Sequence, residues 1–214
     1  MAQTLAIDIE ESKIEDGMNM LERATKRSFD IFFSCIGLLL LSPAFIYVYI
    51  ILKRQKDGPV LFRQERIGMG GKPFNILKFR TMKMNSENEN TPQLAQTNDD
   101  RLTPAGKFLR EHHLDELPQL WNVLVGDMSF VGYRPERQYF IDKIMRENSD
   151  YELLFQIRPG ITSMATIYNG YTDTMEKMLI RLQMDLDYLG KRSLWYDAKI
   201  IFTTVRLLAN GKKI

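Results

Sequence analysis

Between Ile31 and Leu52 the chain runs for 22 residues without a charged side chain, and this stretch constrains the fold more than any other. A straight helix of that length rises roughly 33 Å, enough to cross the hydrocarbon core of a bilayer. Pro43 interrupts it. Proline has no N–H for the carbonyl of Leu39 and its ring clashes there, so the helix bends or breaks. Ser42 beside it offers a hydroxyl to a freed backbone group. The halves on either side are each too short to span alone. Bases flank both ends: Arg23, Lys26 and Arg27 before, Lys53, Arg54 and Lys56 after. Such residues favour the cytoplasmic side of a membrane segment, so a helix–break–helix that enters one leaflet and returns satisfies both flanks. A proline-kinked spanning helix and a hairpin buried in a soluble core share the pattern, and the residues alone leave these open.

The net charge of +2 hides a split: residues 1–22 carry six acids and one base, −5, leaving +7 on the remainder. A basic body suits nucleic acid, anionic lipid or phosphorylated substrates, although ordinary soluble domains reach the same excess. Cys35 is the single cysteine, so no disulfide framework forms within one chain, as in a reducing compartment. With only His112 and His113 beside it, a Cys/His zinc site lacks ligands. No signal-peptide pattern precedes the apolar run.

Residues 1–22 read as a solvated acidic arm, 23–57 as the apolar run with its basic flanks and 58–214 as the remaining body. "VLFRQERIG" and "KPFNILKFRTM", joined by glycines around Met69, read as a β-hairpin; without a following Gly-Lys-Ser/Thr the glycines make no P-loop. Residues 85–100 read as a mobile loop able to close over a substrate. Residues 104–124 read as helical, ended or kinked by Pro118. Residues 138–148 form another helix, and 174–213 two more. The last mixes Trp195, Tyr196 and Phe202 with Lys199, Arg206, Lys212 and Lys213, a composition for the headgroup region or for packing on a core. There are no internal repeats.

The chemistry concentrates in "KFLREHHLDELPQLWNVLVGDMSFVGYRPE", residues 107–136. Asp115 and Glu116 stand side by side, with Arg110 before and Arg134 after. Lys78 and Arg80 of "KFRTM" and Arg158 of "RPGIT" add cations. Carboxylates that hold Mg²⁺ and guanidinium groups that grip phosphate oxygens make a phosphoryl-transfer set. An adjacent Asp-Glu on a helix is also an ordinary solvated pair, its members diverging by about 100°. The cations equally suit surface ion pairs, and the two histidines suit structural hydrogen bonds.

"KRSFDIFFSCIGLLLLSP", "FRQERIG", "ILKFRTM", "LTPAGKFLREHHLDELPQLWNVLVGDMSFVGYRPE" and "RPGIT" together resemble the bacterial sugar transferase family, the monotopic phosphoglycosyl transferases, from about Arg23 to about Asn210. The resemblance implies the small form of the family, which transfers sugar-1-phosphate from a UDP-sugar to undecaprenyl phosphate, giving undecaprenyl-diphosphate-sugar and UMP. It implies Asp115 as nucleophile through an aspartyl phospho-sugar, and Glu116 as Mg²⁺ ligand or base. Arg110 and Arg134 would hold phosphate, Lys78 and Arg80 would order the site, and Asp187 and Asp197 match acids near it. The Ser42-Pro43 break matches the family's break that turns the membrane helix back to the cytoplasmic face of the bacterial inner membrane, which implies 23–57 as a re-entrant membrane helix and 58–214 as the catalytic domain on the cytosolic face.

The expected fold is therefore α+β, mostly helical, with a re-entrant helix, one small hairpin and amphipathic interfacial helices. Expected partners are a UDP-sugar, undecaprenyl phosphate, membrane lipids and downstream glycosyltransferases of a capsule, O-antigen or exopolysaccharide, with a homodimer left open and no nucleic acid. A non-catalytic membrane scaffold is the alternative. Two departures stand out: Tyr133-Arg134-Pro135 replaces the family's Pro-Arg-Pro, and "SMATIYNGYTD" after "RPGIT" places Asn169-Gly170 one residue out of step.

Overall fold

The structure, a computed structural model, describes residues 14–56, 58–84, 86, 99–170 and 172–210. The acidic arm up to residue 13 and most of the loop expected at 85–100 lie outside the described residues.

Helix α1 (Met20–Leu40) starts at a capping box, in which the Asn19 side chain accepts the Glu22 N–H and the Glu22 carboxylate accepts the Asn19 N–H. Helix α2 (Ser42–Arg54) follows at a bend of 59°. Pro43 sits in the first turn of α2, where a missing N–H breaks no helical bond. The Ser42 hydroxyl donates to Leu39 O at 2.8 Å, the role expected of it. Among the described residues no single helix is long and apolar enough to cross a membrane; the bent pair passes that test only together.

The burial of α1 is inverted. Lys26, Asp30 and Ser34, spaced four apart on one face, are buried, while Phe29, Phe32, Phe33, Leu39 and Leu40 are exposed. Asp30 accepts the Phe130 N–H at 3.1 Å, and Lys26 pairs with Asp197 at 2.5 Å. Helix α8 (Leu194–Ala209) repeats the inversion in part: Asp197 is buried beside the core residue Ile200, while Trp195, Phe202 and Val205 face outward.

Strands β1 (Leu61–Ile67) and β2 (Pro73–Phe79) pair antiparallel, with Leu61 opposite Phe79 and Ile67 opposite Pro73. Their connection, Met69–Gly71, holds Gly70 and Gly71 at φ +70°. This is the expected hairpin. A second pair was not legible: β3 (Ser129–Val131) and β4 (Gly160–Thr162) run parallel, each too short to show a period. The backbones beside them meet so closely that a Cβ on Gly160 would lie 2.1 Å from Gly132 N.

The expected helix at 104–124 is three pieces: α3 (Pro104–Glu111), a 3₁₀ turn (Leu114–Glu116) and α4 (Gln119–Val125). The remaining helices are α5 (Gln138–Glu147), α6 (Met164–Asn169) and α7 (Met175–Lys191), with a 3₁₀ segment at Ser149–Gln156. The main core gathers Val131, Ile141, Leu154, Leu182 and Leu189 from β3, α5, that segment and α7, each fully buried aliphatic contributing about 1.5–3 kcal/mol. A smaller cluster joins Val48 and Leu52 of α2 to Phe79 of β2 and Leu109 of α3. It fastens the broken helix to the two elements that carry the site. The stretch before α1 is not the solvated arm expected: Met18 is buried, the Gly17 N–H donates to Leu189 O, and Asp16 pairs with Arg23 and Arg192.

Candidate active site

Asp115 and Glu116 occupy the turn Leu114–Glu116 between α3 and α4. Helix α3 stops because His113 takes the left-handed region at φ +54°, an uncommon conformation for a residue with a Cβ. Pro118 then begins α4. The carboxylates thus leave a tight turn rather than diverging along a solvated helix. The start of α3 is pressed onto the chain after β2: the Thr103 N–H donates to Thr81 O at 2.9 Å, and a Cβ on Gly106 would lie 1.9 Å from the same oxygen. Only glycine permits that approach, and it fixes the helix whose last turn carries Arg110.

Asp115 is 6% exposed. From β2, Lys78 Nζ reaches Glu116 Oε1 at 2.6 Å, and Arg134 Nη2 lies 3.9 Å from the same oxygen. Burial, with the Glu116 charge beside it, pushes the Asp115 carboxyl up against the pull of Lys78 and Arg110. Burial also pushes on Glu116, but Lys78 and Arg134 outweigh it and hold that carboxyl at about 2. Two neighbouring carboxylates whose environments drive them apart suit two roles: Glu116 stays ionised, and Asp115 is the more basic.

The pair opens on a broad cleft of about 1830 Å³. Lys78, Arg110, Arg134 and His113 line it with the dyad, and so do Arg66, Arg137 and Arg181 and the apolar Leu41, Leu120 and Leu208. Among the described residues no three His, Cys, Asp or Glu converge as a metal cage.

Of the residues singled out in the sequence, the structure gathers Asp115, Glu116, Lys78, Arg110 and Arg134. Arg80 borders the cleft but is buried and donates to Pro59 O and Leu52 O, as a strut for the end of α2. Arg158 lies elsewhere: its Nε donates to Gly126 O at the end of α4, where Arg27 also binds Val123 O and Leu124 O. Asp187 is an exposed partner of Lys191 one turn along α7. Asp197 is buried away from the cleft, holding Lys26 and accepting the Tyr188 hydroxyl at 2.6 Å. His112 contacts Phe108 O through Nδ1, a structural bond.

Sequence reasoning missed Arg66, Glu136, Arg181 and Asp185. One signal was available: Arg181 and Asp185 interrupt the buried stripe Met178, Leu182, Leu186 and Leu189 of α7. Burial raises the Asp185 carboxyl to about 7, against the pull of Arg181.

A sequence profile of the family described as bacterial sugar transferase matches residues 21–211. The chain is 44% identical over 187 residues to the UDP-glucose:undecaprenyl-phosphate glucose-1-phosphate transferase of Escherichia coli (strain K12), across 86% of this chain and 40% of that protein. It is 40% identical over 186 residues to the UDP-N-acetylgalactosamine-undecaprenyl-phosphate N-acetylgalactosaminephosphotransferase of Aeromonas hydrophila, across 87% of this chain and 44% of that one. A UDP-glucose:undecaprenyl-phosphate glucose-1-phosphate transferase of Caulobacter vibrioides is 42% identical over 84% of this chain and 68% of its own length. The chain thus spans about two fifths of the first two relatives and two thirds of the third. With a match over nearly its whole length, the chain belongs to the bacterial sugar transferase family.

Proposed function

We propose that the chain transfers sugar-1-phosphate from a UDP-sugar to undecaprenyl phosphate at the cytoplasmic face of a bacterial inner membrane, the first membrane step of a surface glycan. Asp115 carries the reading: a buried carboxylate of raised basicity opens on a cleft beside three cations and a Glu116 kept ionised.

An Asp115 oxygen attacks the phosphorus nearest the sugar. The new O–P bond forms as the bond to UMP breaks, and UMP leaves with the electron pair, giving an aspartyl phospho-sugar. An oxygen of the lipid phosphate then attacks the same phosphorus, and Asp115 departs as carboxylate. Dividing one displacement in two is covalent catalysis with ping-pong kinetics. Arg110 and Arg134 hold phosphate oxygens, and Lys78 orients Glu116. The hard oxygens of Asp115 and Glu116 would hold Mg²⁺, which would supply charge neutralisation to the phosphates when bound.

The outward apolar faces of α1 and α8 support the location, because large exposed apolar surfaces mark interaction or membrane sites. A re-entrant α1–α2 pair would place the dyad at headgroup level, where a cytosolic donor meets a lipid phosphate. Incubating purified protein with Mg²⁺, undecaprenyl phosphate and a panel of UDP-sugars tests the proposal. UMP release with at least one donor is expected; folded protein that releases none with any donor overturns it.

A further inference from the structure

Arg134 lies in the middle of a short segment, Gly132 to Glu136, that has no secondary structure of its own beyond β3. What holds the arginine still is decided by the neighbours of this segment. Both ends are stitched to neighbouring strands. The Gly132 N–H donates to Thr162 O at 3.1 Å and the Gly160 N–H to Tyr133 O at 2.8 Å. At the far end the Ile67 N–H donates to Glu136 O at 3.1 Å. The Tyr133 side chain is wholly buried and serves as a plug.

The Glu136 side chain adds a charged tie. Arg66 Nη1 donates to Glu136 Oε2 at 2.9 Å and to Pro135 O at 3.1 Å, while its Nη2 donates to Gln64 Oε1 at 2.7 Å. From the opposite side Arg181 Nη1 stands 3.8 Å from Glu136 Oε1. One carboxylate is therefore held between the hairpin and α7, its side chain only 12% exposed. A planar guanidinium that grips a carboxylate and the preceding carbonyl together fixes orientation as well as position.

We propose that Glu136 is a positioning residue: hydrogen-bonded by Arg66 and faced by the Arg181 charge, it sets the segment so that Arg134 faces Glu116 and the phosphate site. Glu136 touches no reacting atom in this scheme and acts only through Arg134. The inference rests on the phosphoryl-transfer reading above.

A double-mutant cycle in the full chain tests it, with Glu136→Gln, Arg134→Ala and the pair, using UDP-glucose or UDP-N-acetylgalactosamine as donor. Glu136→Gln should lower kcat by about 100-fold, the cost of a misplaced group. In the Arg134→Ala background the same change should cost less than about 2-fold, because coupled sites are not additive. Losses that simply add, or a fully active Glu136→Gln, overturn the proposal. Amide exchange supplies a readout independent of turnover: residues 132–136 should exchange faster in Glu136→Gln while Leu182, Leu186 and Leu189 stay protected, and unchanged exchange at 132–136 is a refutation. Should Glu136→Gln not fold, Arg66→Lys keeps the charge but loses the fork, and the same two outcomes apply. A wild type silent toward every donor refutes the reaction, and the exchange result then decides the positioning claim by itself.

Discussion

Replacing Lys26 by methionine removes the cation that, among the described residues, pairs with Asp197, and leaves that carboxylate buried beside the Tyr188 hydroxyl. The pair is 2.5 Å apart, and its side chains are 11% and 8% exposed. A pair at this depth differs from a surface ion pair worth about 0–1 kcal/mol. Breaking one from one side strands a charge and costs about 3–5 kcal/mol. At about 2–4 °C per kcal/mol for a chain of this size, the melting temperature of Lys26→Met should fall by about 6–20 °C. Replacing both partners, Lys26→Met with Asp197→Leu, strands no ion. What remains is the Tyr188 hydroxyl without its acceptor, about 1–3 kcal/mol, so the double variant should be more stable than either single one. Circular-dichroism melts of the three variants in one detergent provide the comparison. Because Asp197 does not line the cleft, UMP release below the melting transition should stay near wild type. A Lys26→Met loss below about 1 kcal/mol, or a double variant no better than the singles, would refute the reasoning and reopen a role for Asp197 in the site.

Lys78→Met removes the cation that does most to hold Glu116 at about 2; burial then dominates, so the acid limb of the kcat/KM profile for UMP release should move to higher pH. Asp185 is raised to about 7 in the fold against about 3.9 unfolded, so the native state binds the extra proton and this residue's contribution to stability is lost as pH rises from about 4 to about 7. Asp185→Asn should flatten that decline in melting temperature measured across the window. Pro43→Ala restores an N–H to the break and should reduce the 59° bend. In a Cys35→Ser background, Met20→Cys and Gln55→Cys should both label from the cytoplasmic side with Pro43 present, and the second should lose that labelling in Pro43→Ala.

What was legible in the sequence was local. The break at Pro43 and the use of the Ser42 hydroxyl follow from the covalent chemistry of two residues. The hairpin follows from two mixed apolar runs about a glycine turn. The misreadings share a different cause. Nothing in "LREHHLDELP" reveals that His113 turns left-handed, so the dyad's tight turn looked like part of one helix. Asp197 and Arg158 have partners set by tertiary packing, a lysine 171 positions away and a helix end, whereas Asp187 pairs locally with a lysine one helical turn along an exposed face. Residue type alone could not separate these from the acids and bases of the cleft. Glu136 went unnoticed for the same reason, since its partners come from β1 and α7. The outward apolar faces of α1 and α8 needed coordinates too, because composition does not tell which side of a helix meets the body.

The central claim is that Asp115 is the nucleophile, and it can be measured on the protein itself. The chain is mixed with a turning-over UDP-sugar in the absence of undecaprenyl phosphate, quenched, digested and analysed by mass spectrometry. The account predicts one added phospho-sugar on the peptide containing Asp115, UMP released in equal amount, and neither in Asp115→Asn. An adduct on another residue, or substantial UMP release by Asp115→Asn, would contradict it.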